Sequence, residues 1–234
     1  MKIKGPLINA TFISRPNRFI VIVKIKSHLF KSHLADPGRL KELLVPKAKL
    51  LVRKVEGPTD RKTKYSTIMV IHKGHCISLV STLPNRFVKE SLEKHELPIL
   101  KDYKIISPEF TVGNHRIDFL LNNLENQDFL LEVKSVTYSK NGLAKFPDAI
   151  TSRGLKHIKL LTKVIESGKG AGVLFVCQRS DVTFFKPMWD RDPKFSKALL
   201  DGFNIGLKIW CISTNLSKTE MTFKKQIPFQ LEKD

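Results

Sequence analysis

Residues 128–136, DFLLEVKSV, form an apolar run broken by Glu132 and, two positions later, Lys134. Side chains alternate faces along a strand, so a carboxylate and an ammonium here point the same way while Val133 points the other. HRIDFLL at 115–121 carries the same anomaly, with Asp118 interrupting an apolar strand. A hairpin pairing Asn122 with Asp128 puts position 118 opposite 132, and directly opposed side chains sit about 4.5–5.5 Å apart at Cβ. Two carboxylates that close repel each other unless a positive group lies between them. A divalent cation supplies one, and Mg²⁺ characteristically takes one or two carboxylates with waters and a phosphate oxygen. Lys134 then stands where an ammonium orients the attacking water or stabilises developing phosphorane charge. Asp118, Glu132 and Lys134 are therefore the candidate catalytic set of a metal-assisted phosphodiesterase using Mg²⁺ or Mn²⁺. An ordinary solvated strand face is the competing account of E-x-K.

The elements around these residues are of two kinds. Up to about residue 83 the chain reads as short β-branched or alternating strands at 8–14, 18–27, 49–55, 65–73 and 75–81. Turn residues in RPN, ADPG, GPTD and KG separate them, and GRLKELL (38–44) reads as a short helical piece. Five short strands with one small helix fit a basic barrel of the oligonucleotide-binding type over 1–83. From 84 to 234 the pattern is a helix after Pro84–Asn85, strands at 103–112, 115–121 and 128–136, and a helix over 149–167. A continuous apolar strand at 172–178, VTFFKP, a helix near 193–201 and a strand at 205–213 follow. This describes an α/β domain with a mixed central sheet.

The net charge is +19, and it is unevenly spread: residues 1–83 carry 17 Lys and Arg against 4 Asp and Glu, leaving 24 against 18 for the rest. Such a field attracts a polyanion, and nucleic acid is the commonest soluble one. An acidic membrane surface and a lysine-rich surface suited to a hot or salty habitat are the other accounts; no basic amphipathic helix or lipidation motif supports the membrane. Arg53, Lys54 and the string Arg61, Lys62, Lys64 read as phosphate contacts on the barrel, with Arg39 of the ADPGRL turn counted beside them. Phe12, Phe19 and Phe30 are candidates for base stacking, with Phe19 assigned to the barrel core. Cys76, Cys177 and Cys211 form no C-x-x-C pair and read as thiols of a reducing cytosol. His72, His75 and Cys76 in HKGHC read as the tip of a hairpin, without a fourth ligand for zinc. No apolar run is long enough to span a bilayer, and no Gly-rich phosphate loop is present.

FPDA (146–149) leads into the 149–167 helix, where Asp148 reads as a helix cap or an outer partner of the metal. Arg153 and His157, four apart, share a helical face as a phosphate contact and an accessory acid or ligand. Leu155, Ile158, Leu161 and Ile165 are assigned to the opposite, sheet-facing side.

The segments GNHRIDFLL, LLEVKSVTY and FPDAITSRGLKH, with ATFISRPNRFIVIV, DPGRLKELL, STLPNRFVKESL and KKQIPF in the same order, resemble the sugar fermentation stimulation protein family over nearly the whole chain. The resemblance implies an N-terminal OB-like barrel and a C-terminal domain of the PD-(D/E)xK nuclease type. It implies DNA as the partner; a basic interaction module for RNA or a ribonucleoprotein is a separate reading of the charge. Its acidic and lysine positions fall on Asp118, Glu132 and Lys134, with Glu109 of SPEFTVG as an upstream acidic metal ligand. Asp36-Pro37-Gly38 departs from the N-T-G of many relatives. The family is known chiefly as DNA-binding and regulatory, so a non-enzymatic regulator on a nuclease scaffold stands beside the nuclease.

Overall fold

The structure is a computed structural model describing residues 1–57 and 61–233. Three strands open it, β1 (Ile8–Asn17), β2 (Ile20–Ile25) and β3 (His28–Leu34), followed by β4 (Lys49–Lys54), β5 (Tyr65–His72) and β6 (His75–Ser78). They are ordered β3-β2-β1-β4-β5-β6, and β3 also pairs parallel with β5, closing a five-strand barrel of the OB type. Alternation drives the closure: Val21 and Val23 of β2 are fully buried while Ile20 and Ile22 are half-buried. Part of the GPTD turn lies outside the described residues.

The barrel departs from the sequence expectations at several points. GRLKELL is not a helix but a set of hydrogen-bonded turns, because Leu40 takes a left-handed φ of 51° that ends any right-handed run. Leu40, Leu43 and Leu44 still enter the barrel core, held by the Leu43 and Leu44 N–H groups donating to the Leu40 carbonyl. Phe19 is not core: it lies at the β1–β2 tip, 49% exposed, with the Arg18 guanidinium 5.8 Å from its ring centre. Phe12 is the reverse, buried in the barrel core and closed to base stacking, and Phe30 packs edge-on to Tyr65. β3 escaped the sequence reading because its polar HLFKSHL run is made a strand by partners on both sides.

Helix α1 (Leu83–Glu93) follows, then β7 (Lys104–Val112), β8 (His115–Asn122) and β9 (Asp128–Val136). A small hairpin, β10 (Ser139–Lys140) and β11 (Leu143–Phe146), follows β9. The rest is α2 (Ser152–Glu166), β12 (Gly170–Cys177), β13 (Phe184–Pro187), α3 (Pro193–Asn204), β14 (Lys208–Leu216) and β15 (Met221–Gln226). The large sheet runs β15-β14-β12-β9-β8-β7; β12 lies parallel to β9 and β14, the others pair antiparallel, and the sheet is mixed as expected.

That sheet divides two cores. On β12, Val173, Phe175 and Cys177 face α2 and α3, whereas Leu174 and Val176 face α1 and the barrel residues Leu51, Ile68 and Met69. The two cores explain why GVLFVC is apolar without alternation. Chain starts and stops follow local chemistry: Thr151 Oγ1 accepts the Gly154 N–H at 3.0 Å to cap α2, and Asp192 caps α3 through Phe195 N. No helix among the described residues is long and apolar enough to cross a membrane. The three cysteines are free, with burial pushing the Cys177 thiol up to about 12.

Candidate active site

The β8–β9 hairpin has the expected register, Asn122 opposite Asp128 through Phe119 opposite Leu131. Beyond that last pair the ladder gives way to a side chain. Asp118 Oδ2 accepts the Val133 backbone N–H at 2.7 Å, and its Oδ1 accepts Asn85 Nδ2 of α1 at 2.5 Å. Asp118 is thus fixed from a neighbouring strand and from a helix start.

Glu132 is 3% exposed. Its Oε1 accepts Lys134 Nζ at 2.5 Å and also meets Nδ1 of His157, which is buried on α2. Its Oε2 is buried with no hydrogen-bond partner. Leaving a buried carboxylate oxygen unpaired is costly, so an unfilled acceptor at this spot points to a ligand that completes it.

The two acids are held in different states. Burial and then the neighbouring Glu132 charge push Asp118 up to about 6, against smaller opposing effects from the Val133 N–H, Lys134 and Asn85. Burial acts in the same direction on Glu132, but the His157 hydrogen bond and the Lys134 charge outweigh it and hold that carboxyl below its usual value. Glu132 is thus held ionised, while Asp118, buried beside that charge, holds its proton more tightly.

Around this centre the expected residues divide. Arg153 is exposed on α2 with its Nε 3.5 Å from His157 Nε2, so the i,i+4 pairing holds. His157, however, is buried on the same side of α2 as Ile158 and Leu161, while Leu155 and Ile165 are only half-buried. Glu109 is not gathered with the acids. It falls opposite Asp118 in the β7–β8 register, between the pairs Pro108–Phe119 and Phe110–Ile117. Its left-handed φ of 53° turns the side chain out to solvent, where it meets Arg116 Nη1 at 3.4 Å. Among the described residues no three His, Cys, Asp or Glu side chains cluster in a way that could hold a metal, which applies equally to HKGHC, a hairpin tip with His72 opposite His75.

Asp148 caps no helix; Thr151 does that. Asp148 Oδ2 instead accepts the backbone N–H groups of Arg39 at 2.8 Å and Leu40 at 3.4 Å, binding the loop before α2 to the barrel turn. Gly38 permits this approach, since a Cβ there would stand 2.6 Å from Asp148 Oδ2. The turn Asp36–Gly38, Arg18, the 146–151 loop and Lys134 together line one cleft between barrel and sheet. On the barrel, Arg53 Nη1 donates to the Lys4 carbonyl at 3.2 Å and Arg61 Nη2 to Ser66 Oγ at 3.3 Å. Arg39, Lys54, Lys62 and Lys64 are exposed.

Asn85 was not among the expected site residues. The signal was present in LPNRF, a polar residue just inside a helix start, but its partner is 33 positions away.

Comparison with known proteins agrees with this architecture. Residues 13–79 match the family model described as the SfsA N-terminal OB domain, and residues 82–220 match the sugar fermentation stimulation protein RE domain. A sugar fermentation stimulation protein homolog of Clostridium tetani is 41% identical over 227 residues, 97% of this chain and 98% of that protein. One from Alkaliphilus metalliredigens is 40% identical over 216 residues, covering 91% of this chain and 93% of the other. The structure of Pyrococcus furiosus SfsA in complex with Ca²⁺ superposes with a TM-score of 0.88 at 28% identity, covering 98% of each chain.

Proposed function

The chain belongs to the sugar fermentation stimulation protein family, and from that premise we propose that it binds DNA and hydrolyses phosphodiesters with a divalent cation. In this reading residues 1–83 grip the polyanion and residues 84–234 carry the chemistry, in a reducing compartment suited to three free thiols. The observation that carries it is the unpartnered, buried Oε2 of Glu132 beside a carboxyl raised to about 6.

The donors fit Mg²⁺ or Mn²⁺: Asp118 and Glu132 would hold the ion, with water and phosphate oxygens completing a shell that such cations seldom draw wholly from protein. The Ca²⁺ complex of the Pyrococcus relative supports a hard divalent cation in this family. When bound, the cation supplies charge neutralisation at the phosphoryl oxygens. The protein does the rest. Asn85 and the Val133 N–H orient Asp118, and His157 pins Glu132 through Oε1 so that Oε2 stays presented. Lys134 Nζ, at the wall of the interdomain cleft, positions water in line with the phosphorus and offsets the charge that develops there.

One observation favours a second reading, a DNA-binding regulator that keeps the nuclease domain as scaffold. Lys134 is closed onto Glu132 at 2.5 Å, an ion pair already neutralised without a metal. Cleavage of single- and double-stranded DNA, with RNA in parallel, separates the two in Mg²⁺ or Mn²⁺ buffers. Turnover by the wild type and its loss in Lys134→Ala support hydrolysis; binding without cleavage under either ion supports the scaffold.

A further inference from the structure

On the outer wall of the barrel, Thr11 of β1 is paired with Lys24 of β2 on one side and Lys49 of β4 on the other, and Lys49 is paired in turn with Ile71 of β5. Directly opposed residues share a face, so Lys24, Thr11, Lys49 and Ile71 form one row across four strands. Strands lie about 4.8 Å apart, which sets the two lysines about 10 Å from each other. Lys26 and Lys47 complete the same groove, and neither an acidic nor an aromatic residue lines it. All four lysines are exposed, and none has an ion-pair partner among the described residues.

A second observation is backbone geometry. Lys26 sits in the two-residue turn between β2 and β3 with φ of 53°; Lys47 follows Pro46 in a turn closed by Ala48 N to Val45 O, with φ of 66°. Both positions favour Gly or Asn, and a side chain there is strained. Neither turn needs lysine for its shape. Both lysines thus reach the groove from turn positions whose backbone conformation does not call for lysine.

We propose that this four-lysine groove is an anchoring track for the DNA phosphodiester backbone, separate from the expected contacts at Arg39, Arg53, Lys54, Arg61, Lys62 and Lys64. The inference rests on the DNA-binding half of the proposed function and not on hydrolysis. Lysines act on phosphates as point charges, and with no ring to stack a base the groove reads backbone alone, so its contribution is blind to sequence. Neutralising each phosphate releases counterions, giving a slope of log affinity against log salt of about −0.9 per contact on duplex DNA.

The test is DNA binding by fluorescence anisotropy in EDTA, across a salt series, on two duplexes of unrelated sequence. Lys26→Gly/Lys47→Gly is expected to make the salt slope shallower by about 1.8 on both duplexes, while its thermal midpoint stays level or rises because glycine relieves both turns. Lys24→Ala/Lys49→Ala is expected to do the same to the slope. Lys94→Ala/Lys101→Ala, on exposed lysines of the other domain with the same loss of charge, is expected to leave it unchanged. An unchanged slope in both groove variants overturns the proposal, as does an equal loss in the control pair, which would mean diffuse charge only. Wild-type binding to phosphatidylserine vesicles but not to DNA overturns it too. With metal absent, these results hold whether or not the site hydrolyses anything.

Discussion

Asp148 Oδ2 accepts the backbone N–H of Arg39 at 2.8 Å, joining residues 109 positions apart and locking the barrel turn against the loop that leads into α2. The same turn and loop line the cleft that Lys134 enters. The geometry of that cleft is therefore set by a junction between the barrel and the sheet.

Asp148→Ala removes the acceptor of the Arg39 and Leu40 N–H groups, of which the first is exposed and can turn to water, and should cost about 0.5–1.5 kcal/mol of stability. Asp148→Asn, which keeps an acceptor oxygen, should recover part of it. Gly38→Ala should resemble Asp148→Ala, because its Cβ enters the space of the carboxylate. Urea unfolding midpoints of the three variants decide this; midpoints equal to that of the wild type in all three would show that the junction contributes nothing.

His157→Leu removes the partner that fixes Glu132 Oε1 and helps hold Glu132 ionised. Divalent-cation affinity should fall by about 10–100-fold, the usual effect of losing a group that orients a ligand. Isothermal titration with Mn²⁺ reads it directly, and an unaltered affinity would contradict the assigned role of His157.

Asn85→Ala withdraws one of the hydrogen bonds that oppose the upward shift of Asp118. In the metal-free protein the Asp118 titration, followed by carboxyl NMR, should move above its starting point near 6. A downward or absent shift would mean that Asn85 does not hold this carboxylate in solution.

Asp36 supplies a pH signature away from the acid pair. Burial raises it from 3.8 to about 6, with the Gly38 N–H and Arg15 opposing and Asp148 adding to the rise. Below about pH 4 both folded and unfolded chains hold the proton. Between about 4 and 6 only the folded chain does, so stability from this group falls as pH rises and the loss is complete above about 6. About two pK units correspond to about 3 kcal/mol. Asp36→Asn should therefore gain on the wild type between pH 4 and 7 by up to that amount, measured by urea unfolding at each pH; parallel curves would contradict it.

The acid pair and its lysine were legible because charge inside an apolar strand is costly and a hairpin's register can be read from its turn. A hairpin closed at Asn122–Asp128 allows 118 to face 132, and the observed ladder follows that register as far as Phe119–Leu131. The i,i+4 relation of Arg153 and His157 was legible for the same local reason. What sequence periodicity cannot carry is non-local. β3 becomes a strand by pairing with β2 and β5, Asp148 finds its partners in another domain, and Asn85 reaches Asp118 from a helix start. Phe19 defeated a composition rule, since a phenylalanine in a barrel sequence is usually core and this one occupies a hairpin tip. Glu109 had the right register and the wrong backbone, a left-handed residue that sends its carboxylate to Arg116.

The most direct measurement is the anomalous difference map of a crystal grown with Mn²⁺. One strong peak is expected, bound by Asp118 and by the Glu132 oxygen that now has no partner, and absent in Glu132→Gln. A map with no peak there, or with manganese bound only elsewhere on the molecule, would contradict the proposed metal site.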